Sequence, residues 1–118
     1  MSGRLTTHVL DTMHGRPAAG MAVALWRIHA HDRILIASAI TNSDGRLATP
    51  LLQGGEFASG VYELVFAVGA YFADQAVSLA TPPFLDMVPI RFGIAAADAH
   101  YHVPLLVSPW AYSTYRGS

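Results

Sequence analysis

The chain has 118 residues, with 7 Lys and Arg against 8 Asp and Glu, 53% hydrophobic and 13% charged residues, and no cysteine. That length fits one domain over 1–118, and zero cysteines exclude a disulfide framework, a thiolate nucleophile and a cysteine-ligated metal centre. A formal charge of -1 without a run of Lys or Arg excludes a basic nucleic-acid footprint and a polybasic membrane contact, which leaves small molecules or further copies of the chain as partners.

The N-terminal stretch Met1-Ser2-Gly3-Arg4-Leu5-Thr6-Thr7-His8 lacks the apolar run of a signal peptide. No window reaches about 18 uninterrupted apolar residues, so a cytoplasmic protein without membrane contact is expected. Turn signals recur at His14-Gly15-Arg16-Pro17, Ser43-Asp44-Gly45, Gly54-Gly55, Gly60, Thr81-Pro82-Pro83 and Ser108-Pro109. Strand-length runs lie between them, as in an all-β sandwich or barrel. In chain order the predicted strands are Leu5 to Asp11, Met21 to Ile28, Ile34 to Thr41, Val61 to Val68, Met87 to Ile94, Tyr101 to Val107 and Ala111 to Arg116, with a short eighth near Arg46 to Thr49. One helix is predicted over Ala70 to Leu79, where Phe72, Ala76 and Leu79 repeat at helical spacing.

Successive side chains of a strand point to opposite faces. From His100 to Ser108, Tyr101, Val103, Leu105 and Val107 therefore face the core, and His100 and His102 share the other side with Pro104, Leu106 and Ser108. In the first strand Thr7, Val9 and Asp11 alternate with Thr6, His8 and Leu10, and polarity does not settle which set is buried. The low share of charge, about half of the roughly one quarter usual in soluble chains, calls for oligomer interfaces. An outward face carrying His and aromatic residues suits such an interface with a pocket in it.

Both His29-Ala30-His31 and His100-Tyr101-His102 place two imidazoles on one strand face, a spacing able to chelate a metal. A third ligand would have to come from His8, Asp98 or Asp32, and nothing in the spacing demands one. His29 and His31 sit with Asp32 and Arg33 in a predicted hairpin turn, where solvated histidines are the simpler reading, and His14 belongs to a turn as well. There is no Gly-x-Ser-x-Gly elbow to expose a serine nucleophile, and Gln53-Gly54-Gly55-Glu56 lacks the spacing and lysine of a phosphate loop. Arg46, after Ser43-Asp44-Gly45, is either a solvated residue at a strand start or a planar fork of donors for a ligand's carbonyl oxygens or delocalised negative charge. Spacing alone does not bring it near His102. The chain closes on Tyr112-Ser113-Thr114-Tyr115-Arg116-Gly117-Ser118, an aromatic and basic ending that suggests a terminus tied down.

That ending, the block His100-Tyr101-His102-Val103-Pro104-Leu105-Leu106, the N-terminal Thr7-His8-Val9-Leu10-Asp11 and the stretch Thr41-Asn42-Ser43-Asp44-Gly45-Arg46 together resemble the 5-hydroxyisourate hydrolases, the transthyretin-related enzymes of purine degradation. The resemblance spans almost the whole chain. Ala99, Val107 and Trp110 depart from residues common at those positions. Transthyretin, a hormone carrier on the same fold, has neither the His-Tyr-His block nor the Tyr-Arg-Gly-Ser ending.

The resemblance implies a two-sheet β-sandwich of about eight strands with one short helix, assembled as a homotetramer around a central channel. It implies hydrolysis of a ring amide of 5-hydroxyisourate to 2-oxo-4-hydroxy-4-carboxy-5-ureidoimidazoline, with no metal or organic cofactor. By the same resemblance His8, Arg46 and His102 are catalytic, and His8, Arg46, Tyr115 and Ser118 bind substrate. The alternatives are a carrier of transthyretin type, binding a small aromatic ligand without turning it over, and a purely structural oligomer.

Overall fold

The first strand pairs in parallel with a strand from near the end of the chain, and this long-range contact carries the site. The computed structural model describes residues 3–117. In it β1 (Arg4–Asp11) lies beside β8 (His100–Val107) with Arg4 opposite His100, Thr6 opposite His102 and His8 opposite Pro104. Two-residue strands β2 (Arg16–Pro17) and β5 (Leu52–Gln53) flank β1, and β9 (Tyr112–Thr114) closes the other edge, giving the order β2-β1-β8-β9 with β5 on β1. The second sheet is antiparallel, in the order β4-β3-β6-β7, from β3 (Ala22–His29), β4 (Asp32–Ile40), β6 (Gly60–Ala67) and β7 (Met87–Ile94). The described residues thus form nine strands in two sheets with one α-helix, against the eight or so expected.

The core lies between the sheets and is built by alternation. Leu5 and Val9 of β1, Val23 and Leu25 of β3, Tyr62, Leu64 and Phe66 of β6, and Val103, Leu105 and Val107 of β8 are all buried. The face of β1 left open by its polarity resolves with Thr7 and Asp11 inward. Both satisfy their polar groups there: the Thr7 hydroxyl donates to the Val103 carbonyl at 2.6 Å, and Asp11 Oδ2 accepts from the Tyr71 hydroxyl and from His14 Nδ1, each at 2.7 Å. Inward Asp11 leaves Thr6 and His8 on the face shared by His100 and His102.

Three predicted elements are corrected. The helix α1 covers Val68–Asp74, not Ala70 to Leu79. It stops because Ala76 turns to φ 59, with its N–H on the Ala73 carbonyl at 3.1 Å and the Val77 N–H on the Phe72 carbonyl at 3.2 Å. This pair of bonds is a Schellman closure, normally built on glycine. The repeat of Phe72, Ala76 and Leu79 continued the helical period past a backbone reversal. An alanine in this left-handed conformation is strained by its Cβ, so Ala76→Gly is expected to stabilise the fold by about 0.5–1 kcal/mol. Urea midpoints at fixed protomer concentration check this.

The strand expected near Arg46 to Thr49 does not form. Arg46 makes only an isolated bridge to His8. The chain then bows away from β1 and returns where the Leu51 N–H meets the Leu5 carbonyl at 2.9 Å. Pro50, having no N–H, cannot extend a ladder through this stretch. The predicted last strand, Ala111 to Arg116, is trimmed to the three residues of β9. His29 and His31 lie exposed at the β3–β4 hairpin, as expected.

Candidate functional site

Arg46 reaches β1 through a turn whose chemistry is readable. The Asn42 side-chain oxygen accepts from the N–H groups of Asp44 at 2.9 Å and Arg46 at 3.1 Å, and the Gly45 N–H bonds the Asn42 carbonyl at 2.9 Å. Gly45 has φ 74, and a Cβ there would lie 2.4 Å from the Val9 carbonyl oxygen. Only glycine lets this turn lie against β1. The Val9 N–H then bonds the Gly45 carbonyl at 2.8 Å and the next residue, Arg46, bridges to His8.

On the outward face of β1 and β8 this makes a cavity of about 470 Å³, lined among others by Arg4, Thr6, Arg46, Leu47, His100 and His102. The bowed segment after Arg46 forms one wall. The Thr6 hydroxyl lies 2.8 Å from Nδ1 of His102 and 2.9 Å from Nε2 of His100. Among the described residues, two guanidinium groups and no carboxylate line the space. Burial and the Arg46 guanidinium, joined by the neighbouring histidines, hold His102 below the ordinary imidazole range. Burial and Arg4 do the same to His100. Burial and Arg46 lower His8, with Asp44 pulling weakly the other way. All three rings are therefore neutral at pH 7, the state in which an imidazole accepts a proton.

The C-terminal segment closes one side. The Arg116 guanidinium stacks 4.0 Å above the Tyr101 ring, and its Nη2 reaches the His100 carbonyl at 3.4 Å. The Gly117 N–H donates to the His102 carbonyl at 2.7 Å, and a Cβ on Gly117 would sit 2.8 Å from His102 Cδ2. The tail thus lies directly on the edge of the His102 ring, and a side chain there would displace it.

The structure therefore brings His8, Arg46 and His102 together. It does not place Tyr115 with them: this residue is 60% exposed and lines a separate hollow with Ile90, Phe92, Tyr101 and Val103 at the open side of the sandwich. Ser118 lies outside the described residues. Thr6 and Arg4 were not singled out from the sequence, although both share the outward alternation of His8. Among the described residues no three His, Asp or Glu side chains gather as a metal-ligand set. Chemically, the arrangement offers neutral imidazoles beside a guanidinium in a cleft that favours planar or anionic groups.

A sequence profile of the HIUase/Transthyretin family matches residues 5–117. The chain is 61% identical to 5-hydroxyisourate hydrolase 2 of Rhizobium meliloti (strain 1021), over 99% of this chain and 98% of that one. Among solved structures it is similar to the 5-hydroxyisourate hydrolase of Klebsiella pneumoniae, with 34% identity and a TM-score of 0.80 over 100% of both chains. It is also similar to sea bream transthyretin in complex with thyroxine, with 28% identity and a TM-score of 0.86 over 97% of this chain and 94% of that one. No helix among the described residues is long and apolar enough to cross a membrane.

Proposed function

The chain belongs to the HIUase/Transthyretin family, and from that premise we propose that it is a 5-hydroxyisourate hydrolase whose chemistry is carried by His8, Arg46 and His102. The observation that carries the reading is the convergence of His102 and Arg46, 56 positions apart in sequence by their numbers, on one polar cavity. A carrier needs a pocket of matching shape. It has no need of neutral imidazoles poised beside a guanidinium.

In the proposed reaction His102 Nε2 takes a proton from water as the water oxygen bonds to the ring carbonyl carbon. Arg46 holds the resulting oxyanion. Collapse of the tetrahedral intermediate breaks the ring carbon–nitrogen bond, and the proton passes from the imidazolium to the departing nitrogen. The products of the step are a carboxyl group and an opened ring. His8, on the strand that Arg46 bridges, orients the water or the departing nitrogen.

The active form is a homotetramer with sites completed between subunits. Ile34, Leu35, Ile36 and Ile40 of β4, with Trp110, Tyr112 and Tyr115, are exposed apolar or aromatic side chains, the composition of covered interfaces. β7 and β9 each end a sheet among the described residues, leaving edges for pairing with a second copy. Tyr115 contributes from a neighbouring subunit, since in its own chain it faces away from His102. Ser118 is kept as a substrate-binding residue on the family resemblance alone.

The ultraviolet decay of 5-hydroxyisourate, freshly generated from urate with urate oxidase, tests this directly. Faster decay with the protein than without, unchanged by a chelator, is the expected result, whereas decay at the spontaneous rate by a folded, assembled protein overturns it in favour of the carrier. Tyr115→Thr should reduce turnover, and mixed assembly of Tyr115→Thr with His102→Ala subunits should recover activity above either variant if Tyr115 acts across the interface. Mixed oligomers no more active than their parents would remove Tyr115 from a neighbour's site.

A further inference from the structure

The Thr6 hydroxyl stands within hydrogen-bond distance of two imidazoles, Nδ1 of His102 at 2.8 Å and Nε2 of His100 at 2.9 Å. It has one proton to give. Two arrangements satisfy all three groups. In the first, His102 Nδ1–H donates to Thr6 and the Thr6 hydroxyl donates to His100 Nε2. In the second, His100 Nε2–H donates to Thr6 and Thr6 donates to His102 Nδ1. The first leaves a lone pair on His102 Nε2; the second puts the proton there and disables that nitrogen as a base.

The charges facing these rings choose between them. Arg46, from the segment packed over β1, acts on His102. Arg4, opposite His100 on β1, acts on His100. Both guanidinium groups line the cavity, so a lone pair on the cavity side is favoured over an N–H at His102 Nε2 and at His100 Nε2 alike. The first arrangement provides both lone pairs. Among the described residues His102 Nε2 has no hydrogen-bond partner, which leaves it available to a ligand or water in the cavity.

We propose that Thr6 is the positioning residue of this site: its hydroxyl, anchored on His100, fixes His102 in the Nδ1–H tautomer and so keeps Nε2 free to accept the proton of the attacking water. The placement follows from the parallel register. Thr6 lies opposite His102 and diagonal to His100 on the same face, so one short side chain touches both rings, and a residue on β8 itself does not. His100 has a stated task in this scheme as the acceptor that holds the hydroxyl proton away from His102. The proposal rests on the hydrolase reading for its catalytic consequence, but its tautomer statement holds independently of any activity.

Thr6→Val keeps the β-branched shape of the strand and removes the hydroxyl, Thr6→Ser restores it. In the long-range ¹H–¹⁵N correlation spectrum of the full-length protein at pH 8, His102, assigned by its absence from His102→Ala, should show the Nδ1–H tautomer in the wild type and in Thr6→Ser. In Thr6→Val it should shift towards Nε2–H. With 5-hydroxyisourate, Thr6→Val should lose at least about tenfold in kcat with little change in KM, and Thr6→Ser should recover most of it, because a wrong tautomer removes the base without removing the substrate contacts. An Nε2–H tautomer in the wild type, or an unchanged tautomer together with an unchanged kcat in Thr6→Val, would overturn the role of Thr6. A wild type with the expected tautomer but no hydrolysis would overturn the hydrolase reading and leave the hydroxyl clamp standing.

Discussion

His102→Ala should lower kcat by about a hundred- to ten-thousand-fold, the usual contribution of a positioned general base, while the protein keeps its fold and assembly. The fold survives because β8 pairs with β1 through its backbone and because the Gly117 N–H bonds the carbonyl of residue 102, not its ring. Only the imidazole and its hydrogen bond to Thr6 are lost. Steady-state decay of 5-hydroxyisourate, with size-exclusion elution as the control, checks both halves. An assembled variant with full activity removes His102 from the base position.

The same residue sets the pH profile. Burial and the Arg46 guanidinium hold His102 below the ordinary imidazole value, which is about 6.5, and the base works only when neutral. Activity is therefore present above the depressed pKa and is lost as the pH falls through it, so the acid limb of kcat/KM should lie below pH ~6.5. Arg46→Gln should move that limb upwards as well as weakening turnover, because it removes a positive charge that opposes protonation. An acid limb that stays in place in Arg46→Gln would show that the guanidinium does not act on the titrating group.

Asp11→Ala is expected to destabilise the protein by about 2–4 kcal/mol, the range for removing one partner from a buried, charge-assisted network. The carboxylate is fully buried, and one oxygen accepts from both the Tyr71 hydroxyl and His14 Nδ1 at 2.7 Å. Burial by itself raises the Asp11 pKa, but the hydrogen bonds from Tyr71 and His14 outweigh it and the net direction is downward. Burial, followed by the hydrogen bond to this carboxylate, pushes Tyr71 up to about 12. Without Asp11 the buried Tyr71 hydroxyl loses its acceptor, and the contact from the end of β1 to α1 is gone.

The sign with pH follows from the lowered carboxylate. The unfolded chain binds a proton at Asp11 near pH ~3.9, where the folded chain still resists it. The stabilisation is thus present above that value and disappears as the pH falls through the depressed folded pKa. Urea unfolding at fixed protomer concentration should show a large difference between wild type and Asp11→Ala at pH 7 that shrinks below pH ~4. A difference that is small at pH 7, or the same at both, would show that the cluster contributes packing without the charge-assisted bonds.

Much of this architecture is legible along the chain. Period-two alternation from Tyr101 to Val107 depends on nothing but backbone geometry, so it located the core face of β8 and set His100 and His102 on the opposite one. The Asn42 to Gly45 turn is legible for the same reason, since its glycine and its side-chain acceptor act over a few residues. The closing Tyr-Arg-Gly-Ser ending and the His-Tyr-His block resemble one family closely enough to imply the chemistry. The helix end is not legible because the left-handed turn at Ala76 falls on a residue that does not advertise it, and apolar spacing carries no record of a backbone reversal.

By itself, then, the sequence determined the strand periods, the turns, the all-β class and the residue types able to do the chemistry, all of which follow from interactions between near neighbours. Tertiary structure alone decided that β1 runs parallel to β8, that Asp11 points inward and His8 outward, that Arg46 lands beside His8 and that Thr6 spans two imidazoles. Each of these joins residues far apart in the chain, and the deciding quantity is the register of one strand against another. A shift of a single residue would turn Thr6 and His8 into the core and Asp11 out to solvent, and the burial of Leu5, Val9 and their partners across the sandwich is what forbids it.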